Sequence, residues 1–300
     1  MTESRLFALP VVGRSGLGNM LFPWARAELF ARASGARILA PVWTSARIGP
    51  YLRREPVKRL YYGFFRAPNH ERGVSRMMIA ALGRRIAETQ IAAQMPGLAS
   101  AGRPNIVVFS GLGNLFTPLF GAQHFIRDRL WTMSKPKMRS SGAVYGDRFI
   151  GMHVRRGDIT RQGFTPERLK TVGQYTPISW FVSMAQAVRS NPELRPLPIV
   201  VFSDGSEAEI APLRTVENVV IHQRRSALED LWTLSHANLL FASGFSTFSM
   251  WASYLGGGPT IYAPGKIQQR VQTGLEAPFE IELSEGGDLP PEAAARALRP

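Results

Sequence analysis

A chain of 300 residues that is 45% hydrophobic can bury a sizeable core, and its length suits two lobes of about 150 residues each. It has no cysteine, which excludes disulfides, thiol nucleophiles and cysteine-ligated metals, and His70, His124, His153, His222 and His236 show no close ligand spacing. The formal charge of +14 is uneven, with 22 Lys/Arg against 7 Asp/Glu in residues 1–150 and 14 against 15 in residues 151–300, so the first half asks for an anionic partner: nucleic acid, an acidic membrane surface or an acidic substrate.

The N-terminal MTESRLFALPVVG lacks a basic start followed by a long apolar run, and no window approaches the roughly 18 apolar residues of a membrane span. The expectation is a chain that is neither secreted nor membrane-spanning. Leu6–Val12 reads as a strand, Gly13–Asn19 as a glycine loop, and Met20–Ser34 as a helix with Leu21, Trp24, Ala25 and Leu29 at helical spacing. Gly35 ends that helix and Ala36–Trp43 reads as the next strand, a βαβ unit. From Tyr51 to about Arg139 the pattern is irregular and very basic, with one clear strand at Asn105–Ser110.

A second α/β block starts near Arg148. Strands are predicted at Phe149–Val154, Leu197–Phe202, Val219–Ile221, Ala237–Ala242 and Pro259–Tyr262, with helices at Ser179–Ser190, Ala227–Ser235 and Thr247–Tyr254. Alternation at these lengths indicates a parallel, doubly wound sheet. Residues 283–300 are polar and Pro/Gly-rich before a short helical stretch and read as a tail.

Ligands of open α/β sheets bind beyond the carboxyl ends of strands, so four loops carry the candidate chemistry: Gly13–Asn19, His153–Asp158, Ser203–Ser206 and Ser243–Ser249. In HVRRGD, two adjacent arginines follow a strand, and guanidinium forks suit the bidentate recognition of a diphosphate. In FSTFSMW, Ser246, Thr247 and Ser249 lie at a predicted helix start, where backbone N–H groups and the helix dipole favour anions, although ordinary N-capping explains such residues as well. Asp204 follows a strand and can accept hydrogen bonds from a nucleobase or ribose, or serve as a turn residue. GRSGLGN is neither a Walker loop nor a full dinucleotide fingerprint. Its Asn19 offers an amide at the opening of the first helix.

These residues, taken together, resemble a known family. GRSGLGNMLFPWA is similar to a G-x-x-G-N-Q loop and its helix, HVRRGD fits H-x-R-R-x-D in full, VFSDG resembles a strand-plus-Asp segment, and FSTFSMWASYL resembles N-S-S-F-S-W-W-A-x-W-L. In this order, across residues 13–255, they resemble the fucosyltransferase superfamily with its α-1,2-, α-1,6- and protein O-fucosyltransferase branches. The resemblance implies an α/β, GT-B-like fold of two Rossmann-like lobes with parallel sheets facing across a cleft. The expected bounds are residues 1–145 on the acceptor side, 146–282 for the GDP-sugar and 283–300 as tail.

It also implies roles. Arg155 binds the β-phosphate and stabilises departing GDP, Arg156 shapes the site, His153 and Asp204 contact guanosine, and Ser246, Thr247 and Phe248 line the phosphate pocket, with Asp158 in the same loop. Asn19, Gly16 and Gly18 approach the sugar from the other lobe. Arginines then take the place of a metal ion, and no cofactor beyond the co-substrate GDP-fucose is implied. The partners implied are GDP-fucose and a glycan or glycolipid acceptor, in the cytoplasm or at the inner membrane face, and no nucleic acid is expected. The general base is open among Asp158, Glu28 and Asp128, and late release of the proton to solvent is a further route.

Met20, Phe245 and Met250 depart from the family pattern, which keeps a different GDP-sugar as an alternative. Further readings are a basic nucleic-acid-binding protein, for which no basic helix with interleaved aromatics speaks, and a catalytically inactive sugar-nucleotide binder.

Overall fold

The computed structural model describes residues 5–13, 15–43, 61, 63–67, 69–94, 103–140, 142–157, 175–223 and 225–299. Its chain divides into two units, Met1–Pro136 and Lys137–Pro300, so the division falls ahead of the expected 145/146.

In the first unit the strands are β1 (Leu6–Val11), β2 (Arg37–Ile38), β3 (Arg84–Ala87) and β4 (Asn105–Ser110). They form one sheet in the order β2-β1-β4-β3, all parallel. Helix α1 (Leu17–Ser34) starts earlier than its apolar spacing suggests, because Gly16 takes the extended N-cap conformation and Gly18 falls in the tolerant first turn. Its C-cap Gly35 adopts φ 69° and its N–H reaches Ala31 O, ending the helix as the sequence indicates. The expected strand Ala36–Trp43 shrinks to β2 and an isolated bridge at Leu39. Ala27 of α1 packs with Ala8, Ile38, Val107 and Phe109 on one sheet face. On the other, Ile79 and Ala80 of helix α2 (Gly73–Leu82) meet Phe7, Leu9, Leu39 and Ile106. Helix α3 (Gln123–Met133) completes the unit's main elements.

Two buried arginine and glutamate centres tie α1 to its neighbours. Arg26 donates from Nε to Glu88 at 2.8 Å and from its terminal nitrogens to the carbonyls of Ser110 at 2.8 Å and Leu112 at 3.2 Å. Glu28 accepts from Trp24 Nε1 at 3.0 Å and Arg129 Nε at 2.9 Å, and pairs with His70 Nε2 at 3.0 Å.

The second unit carries a six-stranded parallel sheet in the order β10-β9-β8-β5-β6-β7. In chain order its elements are β5 (Ile150–Val154), α4 (Ile178–Ser190), β6 (Ile199–Ser203), β7 (Val219–Ile221), α5 (Ala227–Ser235), β8 (Leu239–Ala242), α6 (Thr247–Gly256), β9 (Thr260–Tyr262), β10 (Glu280–Glu282) and α7 (Pro291–Ala297). Every residue of β5 and β8 is buried, which is why β8 reads as an unbroken apolar run and β5 as one interrupted only by His153, rather than as alternating patterns.

Residues 283–300 are not a tail in structure. Ala293, Ala294 and Ala297 of α7 are buried in the same core as Ile150, Phe181 and Phe241, and Trp180 Nε1 donates to Leu283 O at 2.7 Å. The small side chains of an alanine face give a weak hydropathy signal while still allowing close helix packing.

Candidate active site

The second unit's sheet starts from its middle. From β5 the chain moves to β6 and β7 on one side, then returns to β8 on the other, which makes the β5/β8 boundary a topological switch point where ligands of open α/β sheets bind. The loop after β5 holds Arg155, Arg156 and Gly157, and the loop after β8 runs from Ser243 to Ser246 at the start of α6.

One hydroxyl joins the two loops. Ser243 Oγ donates to His153 O at 2.6 Å and accepts from Arg155 N at 2.9 Å, so the backbone on both sides of Val154 is fixed from the β8 side. From the β6 side, Asp204 Oδ1 accepts from Arg156 N at 2.6 Å. A β-carbon placed on Gly157 would lie 2.0 Å from Asp204 Oδ2, so this close approach requires glycine.

The two arginines diverge in role. Arg156 is 2% exposed. Its Nη1 donates to Arg155 O at 3.0 Å and Thr176 O at 2.9 Å, and its guanidinium lies 5.0 Å from the Tyr175 ring centroid. Burial lowers its pKa, while Tyr175 and the nearby carboxylates oppose that shift. Arg156 is thus a buried strut for the loop, and Arg155 is the half-buried member of the pair. Thr176 also accepts at its hydroxyl from Gly244 N at 3.1 Å. Tyr175 and Thr176 carry no motif and escape sequence reasoning altogether.

His153 is buried beside Ser249, with Nδ1 and Ser249 Oγ hydrogen-bonded at 2.6 Å, and its ring faces Phe248 at 5.1 Å between centroids. Burial, reinforced by the charge of Arg155, lowers its pKa from 6.5 to about 3. The ring is therefore neutral at physiological pH. Between about pH 3 and 6.5 the unfolded chain holds a proton that the folded chain refuses, so acidification across this window removes at most about 1.4 kcal/mol of stability per pH unit. We predict that His153→Gln loses less stability than wild type between about pH 7 and about pH 5 in urea unfolding. Equal losses would contradict this account of His153.

Ser246 caps α6, accepting from Ser249 N, and Thr247 and Phe248 occupy its first turn, half-buried. The α6 N-terminus therefore opens beside the loop that carries Arg155. Phe245, just before the cap, holds a left-handed φ of 48°. The asparagine usual in the resembled family tolerates that conformation, whereas phenylalanine is strained there. The other two departures are core residues: Met20 and Met250 are each 1% exposed. Neither presents a side chain to a ligand, which corrects the expectation that they bear on sugar choice.

In the first unit, Gly16 caps α1, Gly18 is buried and Asn19 half-buried, its N–H bonding Gly16 O at 3.0 Å. Tyr61 Oη accepts from Leu17 N at 3.0 Å and steadies this helix start. Of the candidate bases, Asp158 lies outside the described residues and Asp128 is exposed on α3. Glu28 is ruled out: both carboxylate oxygens are engaged in the buried cluster of Trp24, His70 and Arg129. Burial raises its pKa, yet the bonds from His70 and Arg129 prevail and the net shift is downward.

Comparison with known proteins bears on this arrangement. Residues 121–281 match the sequence profile of glycosyl transferase family 11, and no curated protein sequence matches. Among solved structures, the chain is similar to NodZ α-1,6-fucosyltransferase soaked with GDP-fucose, with a TM-score of 0.53 and 16% identity over 86% of this chain and 94% of that one. Fucosyltransferase NodZ from Bradyrhizobium gives 0.53 and 16% over 86% and 96%. The same enzyme co-crystallised with GDP gives 0.53 and 16% over 86% and 94%. The shared architecture is the GT-B-like α/β fold with two parallel sheets.

Proposed function

The chain belongs to glycosyl transferase family 11, and from that premise we propose that it transfers L-fucose from GDP-fucose to a hydroxyl of a glycan or glycolipid acceptor, with inversion and without a metal ion. The observation that carries this reading is the Ser243 bridge. It ties the loop carrying Arg155, the half-buried arginine of HVRRGD, to the loop that leads into α6. A guanidinium and a helix N-terminus side by side form a seat for a diphosphate.

In the proposed reaction the acceptor hydroxyl oxygen attacks the anomeric carbon as the bond to the β-phosphate oxygen breaks, GDP departs toward Arg155, and the hydroxyl proton is released late to solvent. The guanidinium and the α6 amides meet the charge that develops on that oxygen, which is where fixed electrostatics lower a barrier most. Arg156 and Asp204 hold the loop rigid so that no reorganisation is needed at that moment. Neutral His153 and Asp204 would flank the guanosine. That NodZ is solved with GDP-fucose and with GDP on the same fold supports this donor. The basic first half of the chain suits an acceptor carried by a lipid at an anionic membrane face, where each basic residue contributes about 1 kcal/mol. Among the described residues no helix is long and apolar enough to cross a membrane.

The test is calorimetric titration of GDP and GDP-fucose in the presence of EDTA, followed by turnover with GDP-fucose and GDP-mannose. Binding in EDTA with turnover of GDP-fucose alone is the expected result. Turnover of GDP-mannose instead would transfer the assignment to another GDP-sugar, a reading that only Phe245 now favours. Absence of any GDP binding would remove the donor assignment.

A further inference from the structure

Helix α2 presents its apolar stripe to solvent. Val74, Met77, Met78, Ala81 and Leu82 recur at i, i+3, i+4, i+7 and i+8, the spacing that normally turns a helix face inward. Here Val74 is 72%, Met77 67%, Met78 57% and Leu82 63% exposed. The helix is held instead by its opposite side, where Ile79 and Ala80 pack under the sheet and Arg76 Nε donates to Ala40 O at 2.8 Å. Among the described residues, α2 brings together four large exposed apolar side chains and includes the four most exposed apart from Val144.

Between Glu71, which accepts from Ser75 Oγ at 2.7 Å, and Glu88 the charges have one sign. Arg72 caps the helix, Arg84 and Arg85 follow it, all three are exposed, and no acidic residue lies between Arg72 and Ala87. We propose that α2 is a membrane-docking element that lies flat on an anionic phospholipid surface. Val74, Met77, Met78 and Leu82 enter the boundary between headgroups and acyl chains, and the flanking arginines meet lipid phosphates. A helix of about 15 Å with apolar residues on one side and cations at both ends fits an interfacial orientation. A second copy of the chain fits it poorly. Residues 1–136 hold 19 Lys/Arg against 6 Asp/Glu, so two such units repel, and a ridge of four side chains falls short of the roughly 800 Å² per partner of a stable interface.

This inference rests on the reading that the protein works at an anionic membrane, and it names the contact. The full-length protein is sedimented with phosphatidylcholine vesicles with and without phosphatidylglycerol, beside the double variant Met77→Asp, Met78→Asp. Because the chain has no cysteine, Met78→Cys takes a single environment-sensitive fluorophore, with Val144→Cys in the second unit, 68% exposed, as control. The expected result is binding that requires phosphatidylglycerol, a partition coefficient at least ~10-fold lower in the double variant, and a blue-shifted label at position 78 but not 144. GDP affinity and unfolding temperature of the double variant should match wild type, since the replaced side chains are exposed. Unchanged partitioning in the double variant, or a label at 78 that stays water-like on bound protein, overturns the assignment of α2 and leaves the membrane reading standing. Failure of the wild type to bind at low salt overturns both. Self-association without lipid that the two aspartates abolish gives the ridge to a second copy.

Discussion

Arg155→Ala is expected to lower kcat/KM by roughly 1,000-fold, about 4 kcal/mol of transition-state stabilisation, with little change in unfolding temperature. The asymmetry follows from the hydrogen bonds. The tie between Arg155 and Ser243 uses the backbone N–H, so truncation removes the guanidinium and leaves the loop tethered. Arg155→Lys should recover only part of the loss, because an ammonium restores charge without the planar fork. Arg156→Ala should behave in the opposite way, lowering stability first, since its Nη1 secures two backbone carbonyls from within the core. Steady-state kinetics beside GDP titration read the split. An Arg155→Ala enzyme with near wild-type kcat/KM removes the leaving-group role, and equal instability in both variants removes the distinction between strut and ligand arm.

Glu28→Ala should cost about 3–5 kcal/mol of folding free energy, among the largest effects of any single change in the first unit. It would leave Arg129 and His70 facing a cavity without their shared acceptor, and Trp24 without its indole partner. Glu28→Gln keeps an acceptor oxygen but loses the charge and should fall between. Chemical denaturation measures both. A general base would behave differently, with kcat collapsing while the denaturation midpoint held. That pattern would return Glu28 to the reaction and contradict the buried-cluster account.

The carboxyl-end loops were legible because of the strands beneath them. β5, β6, β8 and β9 are buried on both faces and show as apolar runs, so the loops carrying Arg155, Asp204 and Ser243 fall where those runs stop. The edge strands β3 and β10 gave no such signal: β3 is Arg-Arg-Ile-Ala with only Ile86 buried, and β10 is Glu-Ile-Glu. Helix α2 carries a helical stripe that the irregular, basic surroundings of residues 51–139 obscure, and its spacing alone would turn inward the face that the structure turns to solvent. Glu28 looked like a candidate base because it sits on the helix after the glycine loop. Its partners His70 and Arg129 are distant in sequence, and nothing local announces them. Thr176 and Tyr175 are invisible for the same reason: they act on Arg156 through a carbonyl and a ring face, and neither leaves a spacing pattern.

The second unit places its first-made strand at the centre of its sheet, with Ile150 of β5 paired to Ile199 on one side and to Leu239 on the other. A ribosome adding about 5–20 residues per second needs roughly 5–20 s to travel from the first of these residues to the last. Throughout that interval a strand destined for full burial has at least one open edge, and its last neighbour has not been synthesised. Nascent chains of this protein therefore pass through an aggregation-prone stage set by strand order alone, one that slower translation lengthens and that holdase chaperones are suited to cover.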